Sequence, residues 1–275
     1  MVISHCHVGA GKFGLSNHPK DGTIPRLVEL LEKYGVARAV VFAPFPHEGL
    51  GWGGPAVEQF DHPNDWLLAQ LPSYPQLWGF ATVNPSEVDA PDRLRRGVAA
   101  GLVGAKVHPP VHGITINDPA LDPFWATAEE LRIPIHLHTG AHGGRLSTYR
   151  PLLVDDVAQK YPNLPIIMDH LGGYALFYEA LAVLHNNQNV YAGFTQAAGR
   201  YNLYHVPLDR VAVVLDTVGP ERVVLGLDYP WNRDNDAALE QDLTWVRSFG
   251  LGREETDKIL GGNITRLIEA RRASR

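Results

Sequence analysis

Eight short apolar runs, each closed by turn residues and each followed by a longer stretch of helical period, repeat from one end of this 275-residue chain to the other. The runs lie near Val2 to Val8, Arg38 to Ala43, Leu77 to Val83, Val103 to His108, Ile133 to His138, Pro165 to His170, Asn189 to Thr195 and Arg222 to Asp228. Helical patterns fall at Ile24 to Tyr34, Ala56 to Leu71, Ala90 to Ala100, Asp118 to Leu131, Leu152 to Tyr161, Tyr174 to His185, Pro207 to Val218, Asn235 to Phe249 and Arg253 to Ala270. Nearly continuous Val, Ile and Leu runs read as strands covered on both faces. Helical segments of about 10 to 15 residues between them impose parallel pairing.

Eight such units in a chain of this length predict an α/β fold: a single (β/α)8 TIM barrel spanning 1–275, a size close to the roughly 250 residues typical of that architecture. The ninth helical pattern is then an extra C-terminal helix. An open doubly wound sheet is the competing arrangement, but Gly9-Ala10-Gly11 lacks the third glycine and the downstream acidic residue of a dinucleotide fingerprint. The Gly/Pro-rich stretches at Gly9 to Gly22 and Pro44 to Pro55 follow the first two strands and read as long loops over an active face.

Composition removes several classes of function. No run approaches the roughly 18 to 20 apolar residues of a membrane helix, and the N-terminus lacks the pattern of a signal peptide. A single cysteine rules out an internal disulfide framework, and a net charge of −6 with no basic run argues against nucleic acid as a partner. A soluble, cytoplasmic protein acting on a small molecule is expected. Barrels of this size often associate, so a homodimer is the one assembly entertained.

Catalytic groups in such a barrel come from the carboxyl ends of the strands. Side chains two apart on a strand share a face, so the imidazoles of His5 and His7 can converge on one cation while Cys6 faces away. Polar residues close the other runs as well: Lys106 and His108, His136 and His138, His170, and Asp228. Turn residues follow at Pro109-Pro110, Thr139-Gly140, Leu171-Gly172-Gly173 and Tyr229-Pro230, which places these groups on one rim. Singly, each reads as a satisfied core or strand-end residue. Collected in a low-dielectric mouth, they would be costly without a cation or substrate to pair them.

HCHVG, GAKVHP, HLHTG, MDHLGG and GLDYP, on strands one, four, five, six and eight, resemble the amidohydrolase superfamily. The similarity runs from Val2 to about Ala270 and is strongest to the branch of aminocarboxymuconate semialdehyde decarboxylase and related lactonases. By that resemblance His5, His7, His138 and Asp228 bind one divalent metal, with zinc preferred and manganese the alternative, and His170 contacts the reacting groups. Many relatives carry an acidic residue two positions before the first histidine, where this chain has Ile3. Relatives with two metals bridge them with a carboxylated strand-four lysine, which leaves that role open for Lys106. In the one-metal reading Lys106 is a substrate-facing cation or a partner for Asp228, and His108 is a pocket donor.

The ligand set implies a water made nucleophilic near neutral pH, with Asp228 as proton acceptor and His170 beside the attacking oxygen or the substrate carbonyl. Hydrolysis of an ester, lactone or amide of a small cyclic acid is the preferred reading, and nonoxidative decarboxylation of such an acid is second. A metal-binding scaffold without chemistry is the alternative of another class, and nothing structural requires the five residues it would retain. Trp52, Trp66 and Trp231, with Phe13 and Phe45, suggest a flat substrate. Arg145 and Arg200 offer planar forks for its carboxylate.

Overall fold

The computed structural model describes residues 1–9, 12–13, 20–45, 59–199 and 203–272. Eight parallel strands close into a barrel: β1 (Val2–His7), β2 (Arg38–Phe42), β3 (Leu77–Thr82), β4 (Gly104–Val107), β5 (Ile135–His138), β6 (Ile166–Asp169), β7 (Val190–Thr195) and β8 (Val223–Tyr229). Each strand pairs with its neighbours in chain order, and β8 returns to β1 with Ser4 opposite Gly226. Trp52 and Arg200 lie outside the described residues, as do most of both proposed loops and the side chain of Phe13.

Helices alternate with the strands because their apolar residues recur on one face. In Ile24–Lys33 the buried positions are Ile24, Leu27, Leu30 and Leu31, and the Thr23 hydroxyl caps the start by accepting the Arg26 amide. Prolines mark where predicted helices begin late or divide. Of the stretch predicted from Ala56 to Leu71, the described part from residue 59 is helical over Pro63–Gln70, and Asp118 to Leu131 splits into a 3-10 turn at Pro119–Leu121 and a helix at Asp122–Glu130. Each of these segments carries proline in its first turn, where the missing N–H costs nothing. Trp66, expected to reach the rim, instead packs 5% exposed in the layer between helices and barrel.

The last predicted helix also divides, at a turn over Lys258–Gly262. Gly261 has φ +129, and a Cβ there would lie 2.4 Å from the Val2 backbone nitrogen. This close approach lays the helix Asn263–Arg272 across the amino end of the barrel. Its Ile264, Leu267 and Ile268 pack on the inward residues Val2, Val40, Trp78, Ile167, Tyr191 and Val224. Among the described residues no helix is long and apolar enough to cross a membrane.

Candidate active site

Strict alternation along β1 would put both histidines on the wrong side. Val2 packs inside the barrel with Val40 and Phe42, whereas Ile3 packs outside with Ala39 and Val41; counting on by twos from Ile3 sends His5 and His7 outward. The pairing with β2 corrects this. Ile3 stands opposite Ala39 but Cys6 opposite Val41, so β1 carries one extra residue, a bulge absorbed at His5 with φ +63. Cys6 thereby joins Ile3 in the outer layer. His5 and His7 both turn inward onto Phe42, with ring centroids 5.0 and 5.1 Å away.

The turned imidazoles meet Asp228. His5 Nε2 and His7 Nε2 are 3.2 Å apart, and Asp228 Oδ1 lies 3.1 Å from the first and 3.4 Å from the second. Donor atoms sharing one face of a tetrahedron about a zinc ion, at about 2.0–2.1 Å each, stand about 3.3–3.4 Å apart. The triangle has those dimensions, and two neutral imidazoles with a carboxylate form a suitable donor set, so the residues present fit a divalent cation. Burial opposes charge on Asp228, but the nearby His5 and hydrogen bonds from His5 and His7 outweigh it and hold the carboxyl well below its usual range. Burial pushes His7 down to about 4. At His5 burial acts the same way, yet Asp169 and Asp228 overcome it and raise the group.

Asp169 is the residue that sequence reasoning passed over. It is fully buried and receives His5 Nδ1 at 3.1 Å, Lys106 Nζ at 2.5 Å and His136 Nδ1 at 2.7 Å. Lys106 therefore pairs with Asp169, not with Asp228, and at 0% exposure it does not face a substrate. In the structure Asp169 shares the inward face of Ile167, two positions before it, but a run apolar on both faces does not mark in the sequence which face is inward.

His138, the remaining ligand implied by resemblance, is not brought to the triangle. Its Nε2–H donates to the Gly140 carbonyl at 2.7 Å, its ring stacks on His108 at 4.0 Å, and its donor atoms group with those of His108 and His142. His170 bridges the two groups, 5.5 Å from His5 and 4.7 Å from His138 between ring centroids. Its Nδ1–H donates to the Thr195 carbonyl at 3.1 Å, which leaves Nε2 as a lone pair, and burial pushes the group down to about 3. Burial holds His108 and His138 well below the usual range as well.

The walls are only partly those expected. Trp231 stands at the rim with its ring 6.4 Å from His7, and Phe45 lies 5.7 Å from His7. Tyr204 was not anticipated. It comes from the segment after β7 and covers His170 at 4.0 Å, its hydroxyl donating to the Ala141 carbonyl. No local pattern marks such a residue. Arg145 is exposed on the loop after β5, and no ion pair holds it among the described residues. A cleft of about 720 Å³, within the range of small-molecule sites, is lined by Gln196, Tyr204, Trp231, Asn232 and Arg233; it shares Tyr204 and Trp231 with the walls of the site, but none of the triangle's three residues lines it.

The sequence profile of a family described as Amidohydrolase matches residues 4–269. Among solved structures the fold is similar to a probable 2-pyrone-4,6-dicarboxylic acid hydrolase from Acinetobacter baumannii with citric acid bound, at 17% identity and a TM-score of 0.70 over 98% of each chain. It is similar to 5-carboxyvanillate decarboxylase from Sphingomonas paucimobilis at 13% identity and 0.70, again over 98% of each chain. A third is dihydroxybenzoic acid decarboxylase from Polaromonas sp. JS666 with bound manganese and the inhibitor 2-nitroresorcinol, at 17% identity and 0.69 over 99% of this chain and 98% of that one. At these identities the likeness is one of fold.

Proposed function

The chain belongs to the amidohydrolase family, and on that premise we propose that it is a metal-dependent hydrolase cleaving an ester, lactone or amide bond of a small cyclic acid. His5, His7 and Asp228 hold one divalent cation. His138, the fourth ligand by resemblance, joins them only by giving up its bond to Gly140. Imidazole and carboxylate donors suit zinc, with manganese the alternative. The cation supplies Lewis acidity, which makes water a nucleophile near neutral pH. The ion pair of Lys106 with Asp169 favours a single cation, since a carboxylated Lys106 would set a second buried anion against that carboxylate.

The protonation pattern carries the choice of reaction. Asp228 is ionised and His170 presents a lone pair at Nε2, so the resting site offers two proton acceptors. Asp228 takes the proton of the attacking water and returns it to the leaving group. His170 Nε2 accepts a hydrogen bond from that water and holds it in place. Decarboxylation would instead need an acid to protonate the carbon that loses carbon dioxide, and Lys106 is sealed beneath Asp169. The flat walls of Tyr204 and Trp231 keep decarboxylation of an aromatic acid as the second reading.

Metal-loaded protein incubated with a panel of lactones and aromatic carboxylates separates the two. Acid release without carbon dioxide is expected, and carbon dioxide release would replace the first reading with the second. His7→Ala should lose bound metal together with activity. Full occupancy by metal analysis would remove His7 from the ligand set.

A further inference from the structure

A carboxylate sealed inside a barrel needs every lone pair answered, and around Asp169 the surroundings are shaped for that purpose. Oδ2 takes Lys106 Nζ and His5 Nδ1, Oδ1 takes His136 Nδ1, and none of the four side chains is more than 1% exposed. Two glycines make the space. A Cβ at Gly193 would lie 3.1 Å from Asp169 Oδ1 and 2.8 Å from the Met168 carbonyl, and one at Gly226 would lie 2.9 Å from His5 Cβ and 2.5 Å from Thr195 Oγ1. Neither Lys106 nor Asp169 is tolerable there alone, whereas the two cancel with their hydrogen-bonding capacity engaged.

The consequence falls on His5. His5 has a carboxylate 3.1 Å from each ring nitrogen, Asp169 at Nδ1 and Asp228 at Nε2; a cation held by the triangle would take the Nε2 lone pair and leave the proton on Nδ1, where Asp169 accepts it. Lys106 Nζ also approaches Nε2, at 3.5 Å, but its short bond is to Asp169. Ile3, where relatives carry an acidic residue, points into the outer layer and can give the ligands no support. We infer that Asp169, neutralised by Lys106, is a positioning residue that fixes the tautomer and orientation of His5 as a metal ligand. This rests on the reading that His5, His7 and Asp228 bind a cation.

Manganese alone is the probe. Binding of Mn²⁺ to the metal-stripped chain, followed by electron paramagnetic resonance of the free ion, should be about 10- to 100-fold weaker in Asp169→Asn, the usual effect of losing such a support. That variant strands Lys106 beside an amide and can fail to fold, so Asp169→Asn/Lys106→Met, which removes both charges, decides the matter. If Asp169 serves only to neutralise Lys106, the double variant regains wild-type affinity, and the inference is overturned. If it orients His5, the weakening persists at wild-type thermal stability. A wild-type chain that binds no Mn²⁺ would instead sink the metal reading itself. Nitrogen-15 shifts of the His5 ring in zinc-loaded wild type test the same assignment without a variant: coordination through Nε2 with the proton on Nδ1 is expected, and coordination through Nδ1 refutes it.

Discussion

The two ends of the barrel are built on opposite principles. At the amino end Val2, Val40, Trp78, Ile167, Tyr191 and Val224 fill the interior, and Ile264, Leu267 and Ile268 close it from below. At the carboxyl end Asp169 and Asp228 follow Ile167 and Val224 by two and four residues on the same strands, and β4 and β5 add Lys106, His136 and His138. Of the six described non-glycine residues with positive φ, five (His5, His170, Leu171, Gln196 and Asp228) sit at that end. Such backbone costs of order 1–3 kcal/mol per residue and persists where surrounding structure over-determines it. The apolar end supplies that stability and the polar end uses it.

Substitutions at the two ends should therefore fail in different ways. Asp228→Asn is expected to lower turnover by about 10²- to 10⁴-fold on a verified substrate, the worth of a positioned proton acceptor, while the melting temperature stays close to wild type. Near-normal turnover would remove Asp228 as the base. Ile268→Ala should do the converse, destabilising the fold by about 2–5 kcal/mol in denaturant titration through the cavity it leaves, with Mn²⁺ affinity unchanged. Were metal affinity to fall with it, the ends would be coupled and the contrast would break.

Acid should act on the polar end. Burial pushes His7 and His136 down to about 4 and His170 to about 3, so between those values and 6.5 the unfolded chain binds protons that the folded one refuses. Stability of the metal-free protein then declines as pH falls from 6.5 toward 4. His5, whose group is raised, contributes with the opposite sign, being most stabilising below 6.5, but it stands against those three and against His108 and His138, which burial also holds down. Below about 4, protonation of Asp169 and Asp228 adds to the loss. A melting temperature flat across this window would show that the imidazoles are not held neutral. The smallest effect is at the rim: Trp231→Ala should raise KM by about tenfold or less with little change in kcat, as for one lost aromatic contact. An equal loss in both would make Trp231 structural.

Much of this contrast was legible beforehand, and the illegible parts share a cause. All eight strands were placed from their apolar runs, and the carboxyl-end position of His5, His7, His108, His138, His170 and Asp228 followed from strand ends and turn residues, whereas Lys106, expected beside them, lies buried beneath Asp169. What escaped depends on neighbours distant in the chain. The inward turn of His5 and His7 comes from a register mismatch with β2, and the partner of Lys106 is 63 positions away. His138 faces His108 because a carbonyl at Gly140 holds its ring, and Tyr204 arrives from a segment without any periodic signature.

By itself the sequence determined the period of each segment, and with it the barrel, the rim and the residue types available there, because side-chain direction and burial follow from local spacing. Which of those residues touch was decided only by the tertiary structure. A bulge of one residue, two inward glycines and a buried lysine–aspartate pair select among donors that the chain presents on equal terms, since contact across a barrel depends on register and on space, which no local pattern encodes.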